Sequence, residues 1–347
     1  MKDRFEFLDG LRGLAALIVV FFHSLRVPVG GYFAVDIFFV LSGFLISSQI
    51  VAEVDRTGKF SFLGFYKRRV LRLMPAFLVM CAVYIGIRYC FFPNLLPPLG
   101  PRRALQVLLW TNVNLIVYNY NPMTFFMHLW SISVEWQFYF VWPAILFGML
   151  ALGWRGVRLM VPIFAIITAA EVAHAFGFAQ VLHIDGLLFG AILAILYKEE
   201  RLGLIARHPT VRFALFSVST LVLTVLIIAC AHSAWSDDYA ISTASWMSAL
   251  LILCLISAPA SIIHIPLSSS ILVGLGRISY GLYLIHYPIA CALQTAGFSP
   301  KATTIVTLVV ALTLADCSER YIERPIYRLK DKFNFRIRKP VVANELA

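Results

Sequence analysis

The sequence predicts an all-α protein, a polytopic membrane helix bundle of about ten transmembrane helices with both termini cytoplasmic, and three observations predict it. Of the 347 residues, 60% are hydrophobic and only 14% are charged, whereas soluble domains run nearer half apolar and a quarter charged. Apolar runs of about 18 residues or more, long enough to cross roughly 30 Å of hydrocarbon, recur along the chain. They are continuous rather than alternating, which argues against a β-barrel. Lys and Arg, finally, concentrate in alternate loops, as the positive-inside rule requires.

Taken in order, the opening "MKDRFEF" mixes both charge signs and no small-residue cleavage site follows its apolar run, so the first helix is expected to stay in the mature protein. Spans are expected at 11–29, 33–51, 73–92, 128–152, 159–178, 181–197, 213–231, 241–263, 278–297 and 302–319. One further segment, 104–120, is interrupted by Asn112, Asn114 and Asn119. With ten spans and the N-terminus inside, 24 of the 29 Lys and Arg fall on one side, the other five being Arg26, Arg88, Arg102, Arg103 and Lys301. If 104–120 crossed, every later loop would invert and the basic tail "ERPIYRLKDKFNFRIRKP" would lie outside. The segment is therefore expected in the outer interface or re-entrant. Basic inner loops also account for the formal net charge of +11 without nucleic acid. The chain is expected to divide into a membrane domain over 1–325 and a basic cytoplasmic tail over 326–347, with no soluble domain, and no fixed-period repeat is visible. Six cysteines (Cys81, Cys90, Cys230, Cys254, Cys291, Cys317) lie scattered in apolar runs and read as packing residues, not disulfides or metal ligands.

Ionisable groups inside spans are costly and therefore mark candidate functional positions. Those singled out within the expected spans are His23, Asp36, Arg88, Glu135, Glu171, His174, Asp185, His286 and Asp316. For His174 and His286 a hydrogen-bonded core role is as good an account as a functional one. The topology singles out three of the others. His23 lies six or seven residues before the turn at Val29-Gly30 and Asp36 six after it, at matching depth on adjacent antiparallel helices in the outer half of the bilayer. Glu135 lies about eight residues, roughly 12 Å, into a span descending from the outer face. An imidazole level with carboxylates suits proton abstraction, because a carboxylate orients the ring and stabilises the imidazolium. The competing account is a structural ion pair, a costly way to hold helices together. His23, Asp36 and Glu135 are the candidate catalytic residues.

Arg12 shares the helix face of His23: eleven residues make about three full turns and a rise of about 16.5 Å. An anion bound at the cytoplasmic mouth would thus be joined along one face to chemistry further out, although Arg12 also suits an ordinary inner anchor. In "YKRRVLRLMPAF" at 66–77, Arg69 and Arg72 share a face at the cytoplasmic start of the third span, with Lys67 and Arg68 beside them. Paired arginines grip phosphate oxygens in a bidentate way. From spacing alone, the positive-inside rule or anionic lipid headgroups account for them somewhat better.

The blocks "FLDGLRGLAALIVVFFH", "GGYFAVDIFFVLSGFLIS", "FYKRRVLRLMPAF", "HLWSISVEWQFYFVWPAIL", "LGRISYGLYLIHYPI" and "SERYIERPIYRL" together resemble the type 3 family of integral membrane acyltransferases, in the family's order and over nearly the whole chain. The resemblance implies an inner-membrane enzyme of about ten helices. Such enzymes take an acyl group, commonly acetyl, from cytoplasmic acyl-coenzyme A to a hydroxyl on a carbohydrate or related acceptor. Arg12 and His23 match the family's Arg/Lys-x10-His motif. Arg69 and Arg72 match its Arg-x-x-Arg motif, associated with the coenzyme A end, with Arg68 adjoining. Glu135 matches the first acidic residue of "SVEEQFY"; the second is replaced here by Trp136. The resemblance involves no metal.

On that resemblance, the donor's phosphates are expected on Arg69 and Arg72, with Arg12 near the entrance and the thioester reaching mid-membrane. His23 would deprotonate an acceptor hydroxyl arriving from the periplasmic side, tuned by Asp36 or Glu135, and the alkoxide would attack the thioester. An acyl-enzyme on Ser42, Ser131 or Ser133 is the runner-up, none of which has a base at a defined spacing. Lipopolysaccharide O-antigen, exopolysaccharide, a lipo-oligosaccharide and a macrolide-like metabolite remain open as acceptors. A proton-coupled transporter or flippase is the alternative, but it predicts two related halves with Gly/Pro-interrupted segments, and no such symmetry is visible.

Overall fold

Small residues decide how the helices of this bundle approach one another. The computed structural model describes residues 6–92, 98–117, 124–175, 184–199, 201–230, 237–257 and 262–328, and no β-strand occurs among them. Helix α1 (Glu6–Leu25) packs chiefly along α11 (Ser270–Thr295). A Cβ built on Gly276 would lie 1.8 Å from the Asp9 carbonyl oxygen, and one on Gly13 would lie 2.3 Å from that of Leu272. Only hydrogen at those positions lets the two backbones touch. Helix α2 (Ala34–Thr57) packs chiefly along α7 (Asp185–Lys198) by the same device, with Gly43 against Leu187 and Gly190 against Val40. Lipid supplies no hydrophobic drive between helices, so close backbone contact of this kind is what holds them.

The remaining elements enclose these two pairs. They are α3 (Phe62–Phe91), α4 (Pro101–Val117), α5 (Trp130–Ala151), α6 (Val157–Ala175), α8 (Gly203–Arg207), α9 (Pro209–Ala229), α10 (Asp237–Ile256) and α12 (Pro300–Ser318). A π-helical turn at Glu319–Glu323 leads into the short α13 (Arg324–Arg328). Among the described residues, seven segments are long and apolar enough to cross a membrane: Glu6–Leu25, Gly31–Thr57, Phe62–Phe91, Phe125–Ala151, Pro209–Ala229, Tyr239–Ile256 and Pro300–Arg328. The chain is a multi-pass, all-α membrane protein.

Several boundaries differ from those expected, for identifiable reasons. Helix α1 stops at Leu25 rather than near residue 29, because Arg26 turns to φ 62° and Pro28 follows. Helix α3 begins at Phe62 rather than near residue 73: Lys67, Arg68, Arg69 and Arg72 are good helix formers that a hydropathy reading passes over. It is capped by Ser61, whose hydroxyl accepts from the Gly64 amide at 3.2 Å. In the doubtful segment 104–120, α4 lies against α5. The Asn112 and Gln137 amides exchange two 3.0 Å hydrogen bonds, and the Thr111 amide donates to Ser133 Oγ at 3.2 Å. Residues 118–120 and the basic tail beyond 328 lie outside the described residues.

The α1–α11 seam makes a controlled prediction. Gly276→Ala should destabilise the protein by about 1–3 kcal/mol, the usual cost of overpacking, whereas Gly274→Ala on the same helix, whose added Cβ meets nothing within 4 Å, should not. Thermal unfolding in detergent measures both, and equal melting temperatures for the pair would contradict the seam.

Candidate functional site

Five helices each turn one face to a common cavity of about 310 Å³. From α2 come Val35, Phe38, Phe39, Ser42, Leu45, Ile46 and Gln49, a run of three- and four-residue steps that follows a single helical face. From α11 come Gly276, Arg277, Ser279, Tyr280 and Tyr283, and from α5 Ser131, Ile132, Glu135 and Tyr139. Asp9 and Arg12 contribute from α1, and Arg69, Arg72 and Leu73 from α3. Tyr327 of α13 closes the end where the arginines lie.

That end is strongly cationic. Four guanidinium groups (Arg12, Arg69, Arg72, Arg277) line it against two carboxylates, Asp9 and Glu135. Asp9 lies 3.7 Å from Arg12. Arg69 donates to Gln49 Oε1 and sits over the Phe65 ring, 5.4 Å from its centroid. Its Nε is buried without a partner, as is the Tyr280 hydroxyl. Glu135 accepts a 2.5 Å hydrogen bond from Ser42, whose oxygen in turn accepts from the Tyr139 hydroxyl at 3.3 Å. Glu135 and Arg12 both line the cavity, and the ion-pair partner of Arg12 there is Asp9 rather than Glu135.

At the other end the walls become aromatic and then imidazole. Tyr283 donates to the His128 carbonyl at 2.8 Å and its oxygen lies 2.7 Å from that of Ser131. One turn beyond Tyr283, on the same face of α11, stand His286 and Tyr287. His23 of α1 meets this face: its Nδ1 is 3.0 Å from His286 Nε2, and its ring meets Tyr287 edge-on at 4.7 Å. His286 Nδ1 lies 3.1 Å from the Leu282 carbonyl. His128 stacks on Tyr287 at 4.7 Å and directs Nε2 to the Leu284 carbonyl at 3.2 Å, leaving its Nδ1 buried without a partner. Three histidines from α1, α11 and the turn before α5 thus form one cluster, joined to the cavity through Ser131 and Tyr283.

The structure brings some of the sequence's candidates together and separates others. Arg12, Arg69, Arg72 and Glu135 line one cavity. His23 is at the histidine cluster, and it hydrogen-bonds neither Glu135 nor Asp36. Asp36 accepts from Ser245 of α10 at 2.6 Å and faces Asp185 of α7. The expected His23–Asp36 pairing fails for a geometric reason: α1 presents His23 to α11, while Asp36 is six residues from Ser42, about a third of a turn off the cavity face. Equal depth on two helices does not give equal azimuth. Arg68 does not line the cavity; it pairs with Glu53 at 3.2 Å, tying the end of α2 to the start of α3. Trp136, at the family's second acidic position, is buried against Tyr139 and Phe140, off the cavity. Glu171 accepts from Ser242, Arg88 lies over Tyr89 and Asp316 pairs with exposed Arg320. The His174 side chain lies outside what is described.

Sequence reasoning missed His128 and left His286 undecided. The usable signals were spacings: His128, Ser131, Glu135 and Tyr139 step along one face, as do Tyr280, Tyr283, His286 and Tyr287 along another.

The family model described as "Acyltransferase domain" matches residues 5–317. The chain is 30% identical over 348 residues to the O-acetyltransferase OatA of Staphylococcus aureus, covering 92% of this chain and 56% of that protein. It is 29% identical to the putative peptidoglycan O-acetyltransferase YrhL of Bacillus subtilis and to the peptidoglycan O-acetyltransferase OatA of Listeria monocytogenes, covering 92% of this chain and 54% and 55% of theirs. The chain therefore spans about half the length of these relatives. No solved structure matches it.

Proposed function

Because the chain belongs to the acyltransferase-domain family, we propose that it is an O-acyltransferase of a bacterial cytoplasmic membrane, moving an acetyl group from cytoplasmic acetyl-coenzyme A to a hydroxyl of a cell-surface glycan. The observation that carries this reading is the cationic cavity end, where Arg69 Nε is buried with no partner beside Arg12, Arg72 and Arg277. A buried guanidinium nitrogen left unpaired is costly and is satisfied by an anionic ligand. Phosphates answer that need, and Arg is the residue suited to them. The acceptor class follows the relatives named for peptidoglycan O-acetylation. The topology proposed is the seven apolar segments together with α6, α7 and α11, both termini cytoplasmic, and α4 not crossing.

In this reading the donor's phosphates bind Arg69 and Arg72, its pantetheine arm runs along the cavity past Glu135, and its thioester reaches Ser131 and Tyr283. A glycan hydroxyl approaches from the other side of the cluster. His23 Nε2 takes the hydroxyl proton, the oxygen bonds to the thioester carbonyl carbon, and the carbon–sulfur bond breaks. The departing thiolate takes the proton back from the imidazolium, so His23 is restored and no proton is gained or lost overall.

The test uses the full chain in proteoliposomes with labelled acetyl-coenzyme A, together with mass spectrometry of surface glycans from cells with and without the protein. Label lost as free acetate or passed to glycan supports the reading; neither would overturn it. The double variant Arg69→Ala/Arg72→Ala should raise the apparent KM for donor at least tenfold, about 1.4 kcal/mol, with kcat less affected. An unchanged donor KM would remove the phosphates from these arginines.

One observation favours a second route, with Ser42 as a transient acyl carrier. Its hydroxyl already donates to the Glu135 carboxylate at 2.5 Å inside the cavity. Glu135 would take the Ser42 proton as the oxygen attacks the thioester and pass it to the departing thiolate. Intact-mass measurement after incubation with donor separates the routes: a covalent acetyl adduct lost in Ser42→Ala supports the carrier, and no adduct supports direct transfer.

A further inference from the structure

We infer that His286 is the positioning residue of His23: it holds the ring in the tautomer whose Nε2 lone pair is free, the role that a carboxylate plays elsewhere. The Leu282 carbonyl, 3.1 Å from His286 Nδ1, can only accept, so that nitrogen carries the proton. A neutral imidazole has one N–H, so His286 Nε2 is a bare lone pair. That lone pair lies 3.0 Å from His23 Nδ1, so His23 Nδ1 must be the donor. The chain of assignments ends with His23 Nε2 unprotonated and His23 only partly buried, while His286 is fully buried. The second nitrogen of a histidine sets the tautomer of the first, and here the carbonyl of a helix turn sets both.

The same assignments exclude a proton relay. A proton passed from His23 Nδ1 to His286 Nε2 would make His286 an imidazolium whose other proton faces a carbonyl that cannot take it. His286 orients the ring, and its Nε2 accepts a stronger, charge-assisted bond once His23 is protonated. Helix packing fixes this arrangement: Gly13 and Gly276 bring α1 and α11 together one face below the imidazole pair.

The tautomer assignment stands on the hydrogen bonds; its catalytic consequence rests on the acyl transfer proposed above, and the experiment reads the two separately. Magic-angle-spinning NMR of protein carrying nitrogen-labelled histidine, with His23 assigned by its loss in His23→Gln, reports which ring nitrogen bears the proton. The expected result is Nδ1–H for His23 in the wild type and in His286→Gln, whose side-chain oxygen accepts the same bond, and a shift toward Nε2–H in His286→Leu. Kinetics should follow: His286→Leu loses about 10- to 100-fold in kcat, by analogy with the cost of removing the group that orients a metal-bound histidine, with donor KM unchanged, and His286→Gln recovers most of it. Nε2–H on His23 in the wild type overturns the proposal without any variant. So does an unshifted tautomer in His286→Leu, or a His286→Gln that behaves as Leu does. If the NMR result holds while wild-type protein transfers no label, the acyl-transfer reading fails and the positioning stands.

Discussion

His23→Ala is expected to lower acyl transfer by about 10²- to 10⁴-fold, the range for losing a general base, while leaving membrane insertion and thermal stability near wild type. The structure separates these two outcomes. The His23 side chain hydrogen-bonds His286, and its carbonyl, which the substitution retains, accepts from Gln294 at 2.8 Å. Packing of α1 on α11 rests instead on the close approach at Gly13 and Gly276, and Ala15, Ala16, Val19 and Val20 of α1 are buried without it. Removing the imidazole therefore takes away a base without taking away the seam. His23→Gln should be equally inactive, since an amide can accept a hydrogen bond but cannot hold the transferred proton. Transfer is read as label moved from acetyl-coenzyme A by the reconstituted chain. Near-wild-type activity in either variant would sink the mechanism. Loss of activity with loss of folded protein would move His23 from chemistry to structure.

The fold class was legible because it follows from composition and run length, which tertiary context does not override. The site was half legible. Motif spacing on α1 and α3 singled out Arg12, Arg69 and Arg72, which line one cavity, and His23, which lies at the histidine cluster beyond it; depth counting set Glu135 level with His23, whereas it lines the cavity with the arginines. What failed was azimuth. Asp36 and His23 face each other across a hairpin in a topology diagram, yet α2 turns Asp36 to α7 and α10 because Gly43 and Gly190 seat α2 on α7. A single sequence encodes which residues share a helix face, but not which helix that face meets. Arg68 was misassigned for a related reason: charge density at a helix start does not say which guanidinium turns inward and which reaches back to Glu53. His128 escaped notice because it opens an expected span, where a polar residue is ordinary.

Separating Glu135 from His23 changes what its removal should do. Glu135 cannot tune a ring it does not touch; it is a buried anion facing Arg12 and Arg69 across the cavity. Glu135→Ala leaves those cations without a counter-charge, and an attraction acting across several ångströms of cavity at an effective dielectric of about 20 amounts to about 2 kcal/mol. It also leaves the Ser42 hydroxyl without its acceptor. The donor-free protein should therefore melt well below wild type. An anionic donor would supply the missing negative charge, so coenzyme A should raise the melting temperature of Glu135→Ala by more than it raises that of the wild type. Asp36→Ala is the control: it lies on α2 outside the cavity, so it should destabilise the α2–α7–α10 junction with no differential response to coenzyme A. Thermal unfolding of the three proteins, with and without coenzyme A, measures the whole pattern. If Glu135→Ala keeps wild-type stability and instead loses only kcat, the carboxylate acts in chemistry, and Ser42, the hydroxyl it holds, becomes the first place to look for a covalent acyl group.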